Sequence, residues 1–166
     1  MGVFLLVALM NVSVLARPAS PSVVAWPGIV TYVVDGDTIR VRPAAGGKPV
    51  SIRIQGIDAP EICQPGGALA RDALMRRLLG KRVAVHGQYH DDYGRLLAKV
   101  VFGGEDAGKW MVASGMAWSY RSRGNAGPYA REQKRAQVAR LGVFASAKGA
   151  PPVYPAQVRK QHGSCH

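Results

Sequence analysis

From Ile29 onward, apolar and polar positions alternate with the short period of extended chain. Residues 29–34, 38–42 and 50–57 are rich in valine and isoleucine and bounded by Gly, Asp and Pro, which predicts three strands. Asp35-Gly36 between the first two is a tight-turn signal, and PAAGGK over 43–48 is a second. In the third segment Val50, Ile52 and Ile54 alternate with Ser51, Arg53 and Gln55, so Arg53 faces away from the apolar set and is free to serve a site. The period then lengthens. Over 68–79, Ala70, Leu74 and Leu78 share one helical face, Arg71, Arg76 and Arg77 lie outside it, and Gly80 is a stop. Residues 82–88 and 96–102 return to strand pattern around a turn at 91–94. A short helix follows over 109–114, and a last one begins near Pro128 and stops at Leu141-Gly142. Five strands with a helix between the third and fourth predict an α+β, mainly β fold: a five-stranded barrel of the OB type with about three helices.

The flanks read differently. Residues 1–10 (MGVFLLVALM) are apolar, a polar break follows at Asn11 and Ser13, and Val14-Leu15-Ala16 has the small residues a signal peptidase accepts. The expectation is export with cleavage near Ala16, to the periplasm or outside. The apolar run is shorter than the ~20 residues of a membrane span. No Lys or Arg precedes it, and the alternative is an uncleaved N-terminal anchor. Residues 17–28 read as a Pro/Ser linker, 29–145 as the folded domain and 146–166 as a basic tail containing Pro and Gly.

Composition narrows the class. A chain of 166 residues suits one core, and 48% apolar with 19% charged residues excludes both a disordered chain and a multi-span membrane protein. Lys and Arg number 22 against 10 Asp and Glu, a net charge of +12 that implies an anionic partner, nucleic acid before membrane surface. The charge is uneven: four of the acids (Asp35, Asp37, Asp58, Glu61) fall between 35 and 61, whereas 118–166 carry nine basic residues against Glu132 alone.

Candidate chemistry gathers on Asp37, Arg53, Asp58, Glu61 and Arg95. Asp37 closes the first hairpin, and Asp58 and Glu61 flank Ala59-Pro60 at the end of the third strand, so three carboxylates can converge on one rim. Hard cations such as calcium take carboxylate, carbonyl and water oxygens. Arginines beside such a cluster suit a phosphate, which guanidinium pairs with bidentately. Taken singly, Asp-Gly-Asp is a hairpin turn and each arginine a solvated face residue; taken together they suggest a phosphodiester hydrolase. Cys63 and Cys165 either form a disulfide in an oxidising compartment, tying the tail to the segment around Glu61, or remain thiols; His162, Cys165 and His166 are a weaker metal candidate. His86 and His90 have no partner pattern, and Trp110, Trp118 and Tyr120 read as packing before base stacking.

The strings VVDGDTIRV, IRIQGIDAPE and DDYGRLLAKV, in this order, resemble the staphylococcal nuclease (thermonuclease) family over about residues 29–144. The resemblance implies that Asp37 and Asp58 are calcium carboxylates with the Ala59 carbonyl as a further ligand. It implies that Glu61 serves the attacking water as general base or orienter. Arg53 and Arg95 would hold the phosphate, and Arg95 would assist the leaving 5′-oxygen. It places Tyr93 and Tyr120 near the nucleotide. Expected partners are single- and double-stranded DNA and RNA, cut with little sequence preference to 3′-phosphate ends by a monomer with no stable protein partner. Three positions depart from the family: Ala59 replaces a threonine, Asp92 replaces a lysine, and the segment 62–67 is shorter. The competing functions are a non-catalytic nucleic-acid-binding OB module and a membrane-tethered polyanion binder.

Overall fold

The alternating segments pair into a closed barrel. The computed structural model describes residues 24–122, 124–145, 152–163 and 165; residues 1–16, where a cleaved leader is expected, and the following residues to 23 lie outside them. In chain order the elements are β1 (Val24–Val33), β2 (Thr38–Pro43), β3 (Val50–Ile54), β4 (Ile57–Asp58), α1 (Gly67–Leu78), β5 (Arg82–His90), β6 (Leu96–Phe102), β7 (Glu105–Asp106), α2 (Ala107–Ala113), β8 (Trp118–Ser119), α3 (Ala130–Val138), a 3-10 turn (Gly142–Phe144) and α4 (Pro155–His162). The barrel runs β3-β2-β1-β5-β6 through antiparallel pairs. A parallel pairing of β3 with β6, Ile52 opposite Leu96 and Ile54 opposite Ala98, closes it. The OB-type barrel expected from the sequence is present.

Strand periodicity sends one face inward. Val30, Ile39, Val41, Ile52, Ile54, Val83, Val85 and Val100 are almost fully buried, and α1 adds Ala70, Leu74 and Leu78, the three residues expected on its inner face. β1 begins at Val24, inside the segment read as linker. Pro27 is tolerated there because its carbonyl accepts from Ala44 N at 2.9 Å, so its nitrogen faces the β2 side, where the ladder starts only at Gly28.

Four α-helices stand where about three were expected. The extra one is α4, in the tail, where proline at the first helical turn has its nitrogen pre-set for a helix start. α2 begins at Ala107 because the Asp106 carboxylate accepts from the backbone N–H of Gly108 and Lys109 at 2.9 and 3.2 Å. A second small cluster packs Trp118 against Phe144 with ring centroids 5.2 Å apart, with Ala136 of α3 beneath and Tyr154 edge-on at 6.1 Å. Trp118 is thus packing, as its sequence context suggested.

Candidate active site

Local turn chemistry sets Asp37. The Asp35 carboxylate accepts from Asp37 N at 2.9 Å, folding the β1–β2 turn around Gly36. A Cβ on Gly36 would lie 2.7 Å from the Ala59 Cβ and 2.8 Å from the Ala70 Cβ, so only glycine lets this turn sit against the end of β4 and α1. Asp37 then reaches across: its Oδ2 accepts from Ala59 N at 2.8 Å and its Oδ1 from the Thr38 hydroxyl at 3.1 Å.

Asp58 is set by tertiary pairing. β4 and β8 form a two-stranded ladder, Asp58 opposite Trp118 and Ile57 opposite Ser119, and Tyr120 N donates to Gly56 O at 2.8 Å. Behind β8 stands α3, whose buried Gln133 accepts from Ser119 N at 2.8 Å while the Ser119 hydroxyl accepts from Tyr129 N at 3.0 Å. Asp58 is fully buried in consequence. Glu61 sits on a tight loop: its N–H donates to Gln64 Oε1 at 2.7 Å, and Gly67 lies so close to its carbonyl that any side chain would collide with it.

Arg53, on the outward face of β3 as the alternation predicts, bridges the two aspartates. Its Nη1 lies 2.9 Å from Asp37 Oδ2 and donates to Ile57 O at 3.0 Å; its Nη2 lies 3.2 Å from Asp58 Oδ1. The guanidinium expected to be free is therefore engaged, because β4 turns the Asp58 carboxylate back over β3. Arg95 does not join that cluster. Its Nε and Nη2 both lie 2.7 Å from Asp91 Oδ2, and its Nη1 donates to the Thr38 hydroxyl at 3.3 Å, linking it to Asp37 through Thr38. Slight burial works against the Asp91 charge, but the Arg95 N–H groups and guanidinium hold its carboxyl below the usual range.

These residues line an open groove of about 1440 Å³ that includes Asp37, Arg53, Glu61, Arg95, Tyr93 and Tyr120. Asp58 and Ala59 lie beneath its surface. Tyr93 is 79% exposed with the Arg95 guanidinium 5.3 Å from its ring centre, and Tyr120 is 45% exposed. One face of the Tyr93 ring is covered by that guanidinium, and the rest of both side chains is open to a ligand.

Two groups were not anticipated as site residues. Asp35 belongs to the same turn as Asp37 and lines the groove. Arg159 of α4 reaches back from the tail: its Nη1 lies 3.0 Å from Asp58 Oδ1 and 2.8 Å from Glu61 Oε1, its Nη2 3.0 Å from Asp58 Oδ2. The available signals were the pairing of Cys165 with Cys63, two residues beyond Glu61, and the Tyr-Pro helix start ahead of Arg159. That disulfide is formed, with Cα atoms 5.9 Å apart, which removes the thiolate that a His162–Cys165–His166 metal cluster would need; His166 lies outside the described residues.

Burial governs the electrostatics. It raises the Asp58 carboxyl above its ordinary range, with the Arg159 hydrogen bonds pulling the other way. Burial also opposes the Arg159 charge, but the bonds to Asp58 and Glu61 outweigh it and raise its pKa. Burial, and then the charge of Asp37, push Asp35 up to about 7. The donor set fits a hard dication: three carboxylates, Asp37, Asp58 and Glu61, share the Arg53 and Arg159 guanidinium groups, and burial pushes Asp58 and the neighbouring Asp35 toward neutrality. Among the described residues no group of three His, Cys, Asp or Glu side chains is placed to hold an ion by itself. Asp37 and Asp58 would need carbonyl and water oxygens to complete a ligand shell, the mixture calcium accepts.

The Asp35 shift carries a stability prediction. Its folded carboxyl releases the proton at higher pH than the unfolded one, so its contribution is fully present below about pH 4 and is lost as pH rises through about 7. Asp37 and Arg53 are the charges acting on it. Asp35→Asn keeps the acceptor for Asp37 N. In chelator, the variant is expected to lose less unfolding free energy than wild type between pH 4 and 7, measured by urea denaturation; an identical pH profile would assign the titration to another group.

A closed OB-type barrel bearing a carboxylate–arginine cluster in an open groove defines the structural class. A family model described as staphylococcal nuclease homologue matches residues 51–146, and the chain belongs to that family. The matched stretch opens on β3 and holds Arg53, Asp58, Ala59, Glu61, Tyr93, Arg95 and Tyr120; Asp37 precedes it. An uncharacterized endonuclease of Escherichia coli is 36% identical over 143 residues, covering 77% of this chain and 88% of the relative. An uncharacterized endonuclease of Haemophilus influenzae is 32% identical over 132 residues, 80% of this chain and 72% of the relative. The probable staphylococcal-like nuclease CAN1 of Oryza sativa subsp. japonica is 31% identical over 129 residues, 75% of this chain, but the match spans only 39% of the rice protein.

Proposed function

We propose that this chain is an exported, calcium-dependent nuclease that hydrolyses DNA and RNA with little sequence preference and leaves 3′-phosphate ends. The observation that carries the reading is the Arg53 fork set between Asp37 and Asp58 in a groove whose walls present Glu61, Arg95, Tyr93 and Tyr120. Asp37 and Asp58, with the Ala59 carbonyl and water, would hold calcium, which supplies positive charge against the scissile phosphate and polarises water. Glu61 accepts the proton of the attacking water, a role its half-buried, loop-fixed carboxylate suits. Arg53 and Arg95 donate to the phosphate oxygens, where charge builds in the transition state, and Arg95 faces the leaving 5′-oxygen. Asp91 holds the Arg95 fork in place for that task. Tyr93 and Tyr120 offer ring faces to any base, and contacts to the sugar–phosphate backbone carry no sequence information.

Two other readings are weaker. A non-catalytic binding module would not need Asp37, Arg53, Asp58, Glu61 and Arg95 together around one groove. A membrane-tethered polyanion binder would need neither the Arg53 fork between two carboxylates nor a groove that also presents Glu61 and Arg95. Export draws support from the Cys63–Cys165 bond, since such bonds persist in oxidising compartments. One copy of the chain holds every residue this reading uses, which supports action as a monomer.

The test is cleavage of single-stranded DNA by the purified chain in calcium and in excess chelator, followed by end-group analysis. The expected result is calcium-dependent cleavage to 3′-phosphate ends. Full activity in chelator would overturn the metal role, and 5′-phosphate products would overturn the direction of attack.

A further inference from the structure

The tail is fastened at both ends of its helix. At the start, Tyr154 stacks edge-on against Trp118 at 6.1 Å, its hydroxyl accepts from Arg121 N at 3.3 Å, and Pro155, the first residue of α4, is buried. Beyond the helix, Cys165 is bonded to Cys63 on the loop that carries Glu61. Between these points α4 turns Arg159 onto the site. The ion pair thus joins residues 101 apart in sequence, and the two attachments fix where it falls.

The contact is the kind a metal-binding carboxylate makes with a cation. Arg159 engages both oxygens of Asp58 at 3.0 Å and shares one nitrogen with Glu61 at 2.8 Å. Asp58 Oδ1 also meets Arg53 at 3.2 Å, and the Asp58 side chain has no exposed surface. Arg53 belongs to the barrel wall and bridges to Asp37 as well. Arg159 comes from outside the barrel and touches the two carboxylates whose work, on the reading above, is done with a cation and a water.

We propose that Arg159 is a positioning residue of the site, an internal counter-cation that holds Asp58 and Glu61 and competes with the divalent cation for them. The proposal rests on the calcium reading above. A guanidinium and a dication repel each other across one carboxylate, so the ion reaches Asp58 as the Arg159 fork gives way. The strap therefore lowers the affinity for calcium, and the basic tail sets the calcium concentration at which the enzyme works. A merely structural ion pair would change unfolding and leave calcium affinity alone.

The experiment is calorimetric titration of calcium chloride into the chelator-treated, oxidised chain. Losing hydrogen bonds to a charged group is worth about 1.5–3 kcal/mol, so Arg159→Ala is expected to tighten calcium binding roughly ten- to hundredfold. The calcium concentration for half-maximal cleavage should fall by the same factor. Arg159→Lys, which keeps the charge and loses the fork, should fall between the two. A Cys63→Ser, Cys165→Ser variant frees one end of the strap without touching Arg159, and should shift calcium affinity in the same direction. It also serves if Arg159→Ala fails to fold. Equal calcium affinity in wild type and in every variant overturns the proposal and leaves the calcium reading standing. Absence of calcium binding in wild type and variants alike overturns the calcium reading itself, and this proposal with it.

Discussion

Glu61→Gln is expected to slow cleavage of single-stranded DNA at saturating calcium by about two to four orders of magnitude, the range of a positioned general base. The amide has the shape of the carboxylate and still accepts a hydrogen bond from Arg159, but it cannot take a proton from water. The loop stays in place because its fixings are elsewhere: Gln64 holds the Glu61 backbone N–H, and Gly67 packs against the Glu61 carbonyl. The unfolding midpoint should therefore move little. A loss smaller than tenfold in kcat would remove Glu61 from the proton-transfer step and leave it as a partner of Arg159 alone.

The second large effect falls on Arg53, and here structure and catalysis are entangled. Arg53→Ala strips the barrel's own cation from two buried carboxylates, a change of the kind that costs about 3–5 kcal/mol when one partner of a buried pair is removed. Activity lost in that variant would say little about chemistry. Arg53→Lys is the informative substitution: one ammonium keeps the charge but cannot bridge Asp37, Asp58 and the Ile57 carbonyl together and still present a fork to phosphate. Turnover is expected to fall by about two to three orders of magnitude, the cost of removing a preorganised donor, with a much smaller rise in Kd for single-stranded DNA. Equal losses in kcat and binding would mark Arg53 as a ground-state grip. Measured together, the two variants separate the work of holding the carboxylates apart from the work of stabilising the phosphate.

Precision at the site comes from side chains that hold the functional groups in place. Gln133 of α3 holds β8, β8 pairs with β4, and β4 carries Asp58. Thr38 stands between Asp37 and Arg95, its hydroxyl donating to one and accepting from the other. A buried polar relay of this sort fixes rotamers because every member has a partner, and among the described residues no buried side-chain N or O atom is left without one.

Local pattern determined much of this by itself. Alternation in β3 put Arg53 outside the barrel, the Asp-Gly turn put Asp37 at the mouth of a hairpin, and the spacing of Ala70, Leu74 and Leu78 fixed the buried face of α1, since each follows from the period of the backbone over a few residues. The ordered motifs added the family and its candidate site. What they left open depends on contacts distant in sequence. Closure of the barrel through the parallel β3–β6 pair, which sets Arg53 opposite Leu97 and so near Arg95, depends on which strand edges meet. Burial of Asp58 depends on β8, sixty residues downstream, pairing with β4. The arrival of Arg159 depends on a disulfide and an aromatic cluster that fasten a tail whose own sequence reads as basic and aperiodic. Periodicity tells a side chain which face to take; only the packed chain decides which charge it will find there.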